Sequence, residues 1–156
     1  MSIKLNRFRH LGIVFFLFLA GLLISCGGND YVLKDGYYTT EEAEYNSYGW
    51  KEFLTICISG GKIIVVEYNA YNPAGFLKSW DMDFMRRMNT TDGTYPNAYS
   101  RYYSRQLLEK QDVTGIDVLS GATESHSVFV ALAKAALKNA RDGNRNTTLV
   151  HPEASP

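Results

Sequence analysis

The chain has 156 residues, 46% of them hydrophobic and 21% charged, which suits one domain with a real core and excludes a coiled coil or a disordered tail. Its 16 basic and 16 acidic side chains balance only because Lys4, Arg7 and Arg9 fall in an opening stretch of 25 residues that holds no acid. The rest carries 13 basic against 16 acidic groups, about −3, and has no basic face to offer nucleic acid.

The three opening cations precede an apolar run over residues 11–24. Such a run is short for a bilayer crossing and right for the apolar region of a signal peptide. It ends in Leu23-Ile24-Ser25-Cys26, followed by Gly27-Gly28. That string resembles the bacterial lipobox, in which the bond before the cysteine is cut and the cysteine is lipidated. The resemblance implies a lipoprotein signal peptide over 1–25, an acylated Cys26 and a lipidated tether over 26–33. The domain would then sit close to membrane lipid on the extracytoplasmic face of the cell envelope. An uncut signal anchor with an incidental Cys26 is the alternative. Cys57 lies in the apolar run Leu54-Thr55-Ile56-Cys57-Ile58 and reads as a buried, inert thiol. Two cysteines, with His126 and His151 as the histidines of the mature part, suggest no disulfide framework and no metal site.

Asp35-Gly36-Tyr37-Tyr38 reads as a turn opening a strand. Residues 53–58 and 63–68 are β-rich runs separated by Ser59-Gly60-Gly61-Lys62, a hairpin composition. Both runs are apolar on successive residues, which predicts a hairpin covered on both faces. Asn72-Pro73-Ala74-Gly75 then forces a loop. A short helix is expected over 81–88, stopped by Asn89-Thr90-Thr91-Asp92-Gly93. Tyr95-Pro96 introduces a second over 97–110, with Tyr99, Tyr103, Gln106 and Leu107 on one side. A third has Ser125 as its N-cap, a stripe of Val128, Phe129, Leu132, Ala136 and Ala140, and Gly143 as its stop. Residues 144–156 are polar, contain two prolines and read as a loose tail. The expected fold is α+β, a small twisted antiparallel sheet with a central hairpin flanked by helices.

Between the last two helices lies Asp117-Val118-Leu119-Ser120-Gly121-Ala122-Thr123. Three small residues leave the backbone open to close approach. Thr123 follows at the amino end of a helix, where N–H groups and the helix dipole favour a phosphate. An ordinary helix cap would use the same residue types. The string meets every fixed position of Asp-x-x-Ser/Thr-Gly-Ala-Thr, and in this it resembles the flavinylation motif of the FMN-binding domain family. That family includes subunits of sodium-pumping quinone reductases and small flavinylated envelope lipoproteins. Five specified positions coincide by chance in fewer than about one chain in a thousand. Lys34-Asp35-Gly36-Tyr37-Tyr38, Gly60-Gly61-Lys62-Ile63 and the terminal alanine-rich helix extend the resemblance over most of residues 34–143, the expected FMN-binding domain.

The resemblance implies FMN bound covalently, through its phosphate, to Thr123. An FAD:protein FMN transferase would attach it, recognising Asp117, Ser120, Gly121 and Ala122. After the hairpin the respiratory-complex members usually carry a Glu-Thr-Pro-Gly-like segment. Here the place holds Asn72-Pro73-Ala74-Gly75-Phe76-Leu77-Lys78-Ser79, closer to the small lipoproteins and away from a sodium pump. Phe76, Leu77, Trp80 and Tyr99 are candidate partners of the flavin ring, and Lys78 is the candidate cation beside it. His126 reads as a solvent-facing or capping residue.

No acid/base pair or nucleophile stands out, so a redox carrier is expected rather than a free-standing enzyme. It would take electrons from a quinol- or NADH-linked membrane donor and pass them to envelope or external redox partners. A flavin-free envelope lipoprotein serving as a surface or structural interaction module is the competing expectation. A flavin reductase component that needs a partner subunit is a third.

Overall fold

The computed structural model describes residues 32–152. The expected signal peptide, Cys26, most of the tether and the last four residues lie outside the described residues. Gly36–Glu42 forms β1, Lys51–Ser59 β2 and Lys62–Tyr71 β3. A 3-10 turn at Lys78–Trp80 leads into α1, Met82–Asp92, followed by α2, Pro96–Lys110, α3, Thr123–Asp142, and β4, Thr148–Val150. The sheet order is β3-β2-β1-β4. The fold is α+β, as expected. Its first three strands are antiparallel, while β4 runs parallel to β1, an edge the sequence reading did not contain. Among the described residues no helix is long and apolar enough to cross a membrane.

Gly60 and Gly61 take φ of 59° and 73°, the left-handed pair that a two-residue hairpin turn requires. The hairpin is covered on one face, not two. Glu52, Leu54, Ile56 and Ile58 of β2 are buried at alternate positions, whereas Ile64 and Val65 of β3 are each 50% exposed. The register shift between Cys57 and Ile58 puts an extra residue into β3 at that point. Helices pack on one side only, so the consecutive apolar run spends half its residues on the other. Cys57 is buried and free, as expected.

The helix stripe of Val128, Phe129, Leu132, Ala136 and Ala140 is buried throughout against Tyr38, Leu54 and Ile56. Alanine along it lets α3 approach β1 closely enough for Thr40 Oγ1 to donate to the Leu132 carbonyl at 3.0 Å. On α2, Tyr99, Tyr103, Gln106 and Leu107 are all buried, as their spacing predicts.

Three boundaries differ from expectation. Helix α1 is capped by Asp81, whose carboxylate accepts from Phe84 N–H at 2.8 Å, and runs on to Asp92 before Gly93 at φ 71°. The hydroxyls of Thr90 and Thr91 bond back to the carbonyls of Arg86 and Arg87, so the polar run continues the helix instead of stopping it. Ser125 is not an N-cap: α3 starts at Thr123 with Ala122 at its cap position and no side-chain cap. The expected loose tail supplies β4. Asn139 Nδ2 donates to Thr148 Oγ1 at 2.8 Å, Ala43 N–H donates to the Val150 carbonyl at 2.8 Å, and Arg145 reaches the Asp35 carbonyl at 3.0 Å. A three-residue strand is too short to show a period of two, so only its tertiary pairing reveals it.

Candidate cofactor cleft

The motif loop is held from α2. Gln106 pairs with both backbone groups of Asp117, accepting from its N–H at 2.9 Å and donating to its carbonyl at 3.2 Å. Tyr103 Oη accepts from Leu119 N–H at 3.2 Å and donates to the Ala122 carbonyl at 2.9 Å. His126, expected to face solvent or cap the helix, is half-buried instead, with Nε2 3.0 Å from the Ile116 carbonyl oxygen. It braces the same loop from the first turn of α3. Gly121 takes φ 78° and lies against the Asp92 carbonyl, where a side chain has no room. The glycine thus lets the end of α1 close onto the loop.

Closure leaves a cleft of about 620 Å³ between α1, the start of α3 and the ends of β1 and β2. That size lies within the roughly 300–1,000 Å³ of small-molecule sites. Gly121, Ala122, Thr123 and Lys78 all line it. Thr123 is exposed at the first helical position, beside N–H groups that no side chain caps. Asp117 and Ser120 are exposed on the loop leading there and do not form the wall; the Asp117 carboxylate is 3.4 Å from Lys110 Nζ.

The expected ring partners fall elsewhere. Phe76 and Trp80 form an edge-to-face pair on the surface, their ring centroids 6.3 Å apart, and neither they nor Leu77 line the cleft. Tyr99 is buried behind the wall, its ring 5.8 Å from Lys78 Nζ. The apolar wall consists of Tyr48, Trp50, Phe84, Met88 and Val128, with Trp50 and Phe84 edge-to-face at 6.2 Å. The sequence contained a signal for two of these: Phe84 and Met88 stand four apart on α1, one above the other. Trp50 enters through the Asn46–Trp50 turn, which spacing does not reveal.

The base of the cleft is ionic. Lys78 is 7% exposed, with Nζ 3.8 Å from Glu52 Oε1 and 5.1 Å from the Phe84 ring centroid. Burial pulls Lys78 below the usual lysine range, against the attraction of Glu52, Glu124 and Glu42. Glu52 accepts from the Tyr68 hydroxyl and, at 3.3 Å, from Ser125 Oγ. Burial pushes its carboxyl up to about 7, a rise that Lys78 and the Tyr68 bond oppose. Glu42 is likewise raised by burial, while its Oε2 takes the Glu52 N–H at 2.8 Å. Tyr68 and Tyr99 are raised by burial too, so both hydroxyls keep their protons.

These residues would suit a flavin held by its ring: the aromatic and apolar side chains offer faces against which a flat ring would lie. Glu42, Glu52, Asp81, Asp92 and Glu124 outnumber Lys78 and Arg87, which disfavours a doubly charged phosphate deep inside. A singly charged phosphodiester on Thr123 would instead lie at the amino end of α3, where the dipole favours it.

No family profile matches the sequence. Over 135 residues the chain is 34% identical to the 15 kDa lipoprotein of Treponema pallidum (strain Nichols), an alignment covering 86% of this chain and 94% of that one. The chain belongs to the family of that lipoprotein. The crystal structure of CPE2226 protein from Clostridium perfringens shares 40% identity and superposes with a TM-score of 0.74, covering 78% of this chain and 99% of its own.

Proposed function

We propose that this chain is a lipid-anchored envelope flavoprotein that carries electrons on FMN bonded through its phosphate to Thr123. Membership in a family whose Treponema member is called a lipoprotein supports the anchor, with Cys26 as the acylated residue. The observation that carries the flavin is the position of Thr123. The last residue of the Asp117-to-Thr123 string is exposed, begins a helix without a side-chain cap, and lines a cleft of small-molecule-site size.

Bound FMN supplies the redox chemistry. The chain's own residues do the rest. The first turn of α3 holds the phosphodiester charge, Trp50, Tyr48, Phe84 and Met88 exclude water from the ring, and Lys78 sets a cation beside it. A covalent bond keeps the cofactor at high effective concentration where free FMN is scarce. The partners are an FAD:protein FMN transferase, membrane lipid, and membrane or envelope redox proteins on the extracytoplasmic side. Asp117 and Ser120, exposed on the approach to Thr123, suit recognition by the transferase.

Co-expression with the transferase, followed by denaturing electrophoresis, tests this reading: flavin fluorescence should stay with the band and vanish in Thr123→Val. A loss in Ser120→Ala alone would speak to transferase recognition. The relative's name, which speaks for a lipoprotein and nothing further, favours a second reading: a flavin-free surface or structural module. That reading requires a dark band for the unaltered chain as well.

A further inference from the structure

Neither the anchor nor the attachment uses the ionisable groups at the base of the cleft. Glu52 is 3% exposed yet lines the cleft, and polar groups from several elements surround it. Lys78 comes from the 3-10 turn at 3.8 Å, Tyr68 from β3 through its hydroxyl, and Ser125 from α3 at 3.3 Å. Glu42 of β1 takes its backbone N–H, while Tyr99 of α2 and Glu124 of α3 act on the same cluster through space. One buried cation thus faces two buried carboxyls, Glu42 and Glu52, and the base holds one negative charge too many unless a carboxyl binds a proton.

We propose that Glu52 is the proton-exchanging residue of the cleft, taking up a proton from solvent when a flavin bound there is reduced. The inference rests on the flavin reading above. The balance is simple. Two electrons come from an electrode through a one-electron mediator, one proton binds N5 of the ring, and a second binds a carboxylate oxygen of Glu52. Lys78 keeps its proton, and Tyr68 and Tyr99 are already protonated. New negative charge on a neighbour favours the neutral form of a carboxyl. Because burial already holds Glu52 near 7, the coupled uptake opens above that pH. Below it, Glu52 is protonated before and after reduction and takes up nothing.

The test uses the full-length acylated protein in detergent, flavinylated and checked by intact mass. Bare wild-type polypeptide overturns the attachment and this inference with it. In the flavinylated protein, the midpoint potential between pH 7 and 8.5 should fall with the slope of two protons per two electrons. In Glu52→Gln, which keeps an acceptor for Tyr68 and Ser125, the slope should halve, while Glu42→Gln should retain the steeper one. A wild-type slope of one proton, or equal slopes in wild type and Glu52→Gln, overturns the inference although flavin is attached. Should Glu52→Gln fail to fold, the wild type still decides. Its reduced-minus-oxidised infrared spectrum at pH 7.5 should gain a protonated-carboxyl band, and the absence of that band counts against the proposal.

Discussion

Gly121 lies against the backbone carbonyl of Asp92, at φ 78°, with no space for a Cβ between them. The contact joins the end of α1 to the loop before Thr123, so one residue without a side chain closes the wall of the cleft. Gly121→Ala adds a clash with backbone to the strain of a left-handed conformation, and should lower stability by about 2 kcal/mol or more. Gly60, at φ 59° with open space around it, supplies the comparison. Gly60→Ala should cost about 1 kcal/mol. Urea titration of both variants checks this, and equal losses would remove the close approach as the reason for glycine at 121.

Tyr103 both accepts from Leu119 N–H and donates to the Ala122 carbonyl, so its hydroxyl ties together the two ends of the turn before Thr123. Tyr103→Phe should cost about 1–3 kcal/mol, because it strands the part-buried Leu119 N–H, while the Ala122 carbonyl keeps the His126 N–H. Amide exchange should quicken at Leu119 in particular, since its N–H loses an acceptor. Exchange at β2 should change only as far as global stability does.

Stability should depend on pH through Glu52. Its folded carboxyl titrates near 7 and the ordinary value is 4.5, so between these the native state binds more protons than the unfolded one. Stability then falls as pH rises across that window. The contribution is fully present below pH 4.5 and is lost by the time the pH has passed 7. Glu42, also raised by burial, acts in the same direction. In flavin-free protein, Glu52→Gln should flatten the decline between pH 5 and pH 7.5, a change of a few kcal/mol at most. Denaturant midpoints at four or five pH values suffice, and a decline as steep as that of wild type would contradict the assignment.

Ending the chain after Gly143 removes β4 and bares the edge of β1 at Thr40, Glu41 and Glu42. It also removes the partner of the buried Asn139 side chain. The truncated protein should lose about 1–3 kcal/mol and exchange its β1 amides faster. A wild-type melting curve would mean that the last strand is dispensable.

The elements with strong local patterns could be read in the sequence, and those fixed by tertiary contact could not. The stripe from Val128 to Ala140 repeats at helical spacing, and Ser59-Gly60-Gly61-Lys62 has a turn chemistry few other structures tolerate. Both are where that reading puts them. Thr148, Leu149 and Val150 carry too little pattern to distinguish a strand from a polar tail, because pairing with β1 alone defines them. The cleft divides in the same way. Thr123 and Lys78 could be picked out by motif and by charge, and both line the cleft. Trp80 and Phe76 drew attention as large rings near the hairpin, yet they meet edge to face at the surface. Trp50 and Phe84 take the inner position because the turn at Asn46 and the cap at Asp81 aim them inward. Glu52 falls just before the expected strand over 53–58, and only its burial beside Lys78 makes it distinctive.

Intact-mass analysis with peptide mapping, on full-length protein made together with an FAD:protein FMN transferase, tests the central claim most directly. The account requires one FMN, joined with loss of the other half of FAD as AMP, on the peptide containing Thr123, and none on Thr123→Val. Unmodified wild-type polypeptide, or flavin on a different residue, would contradict it.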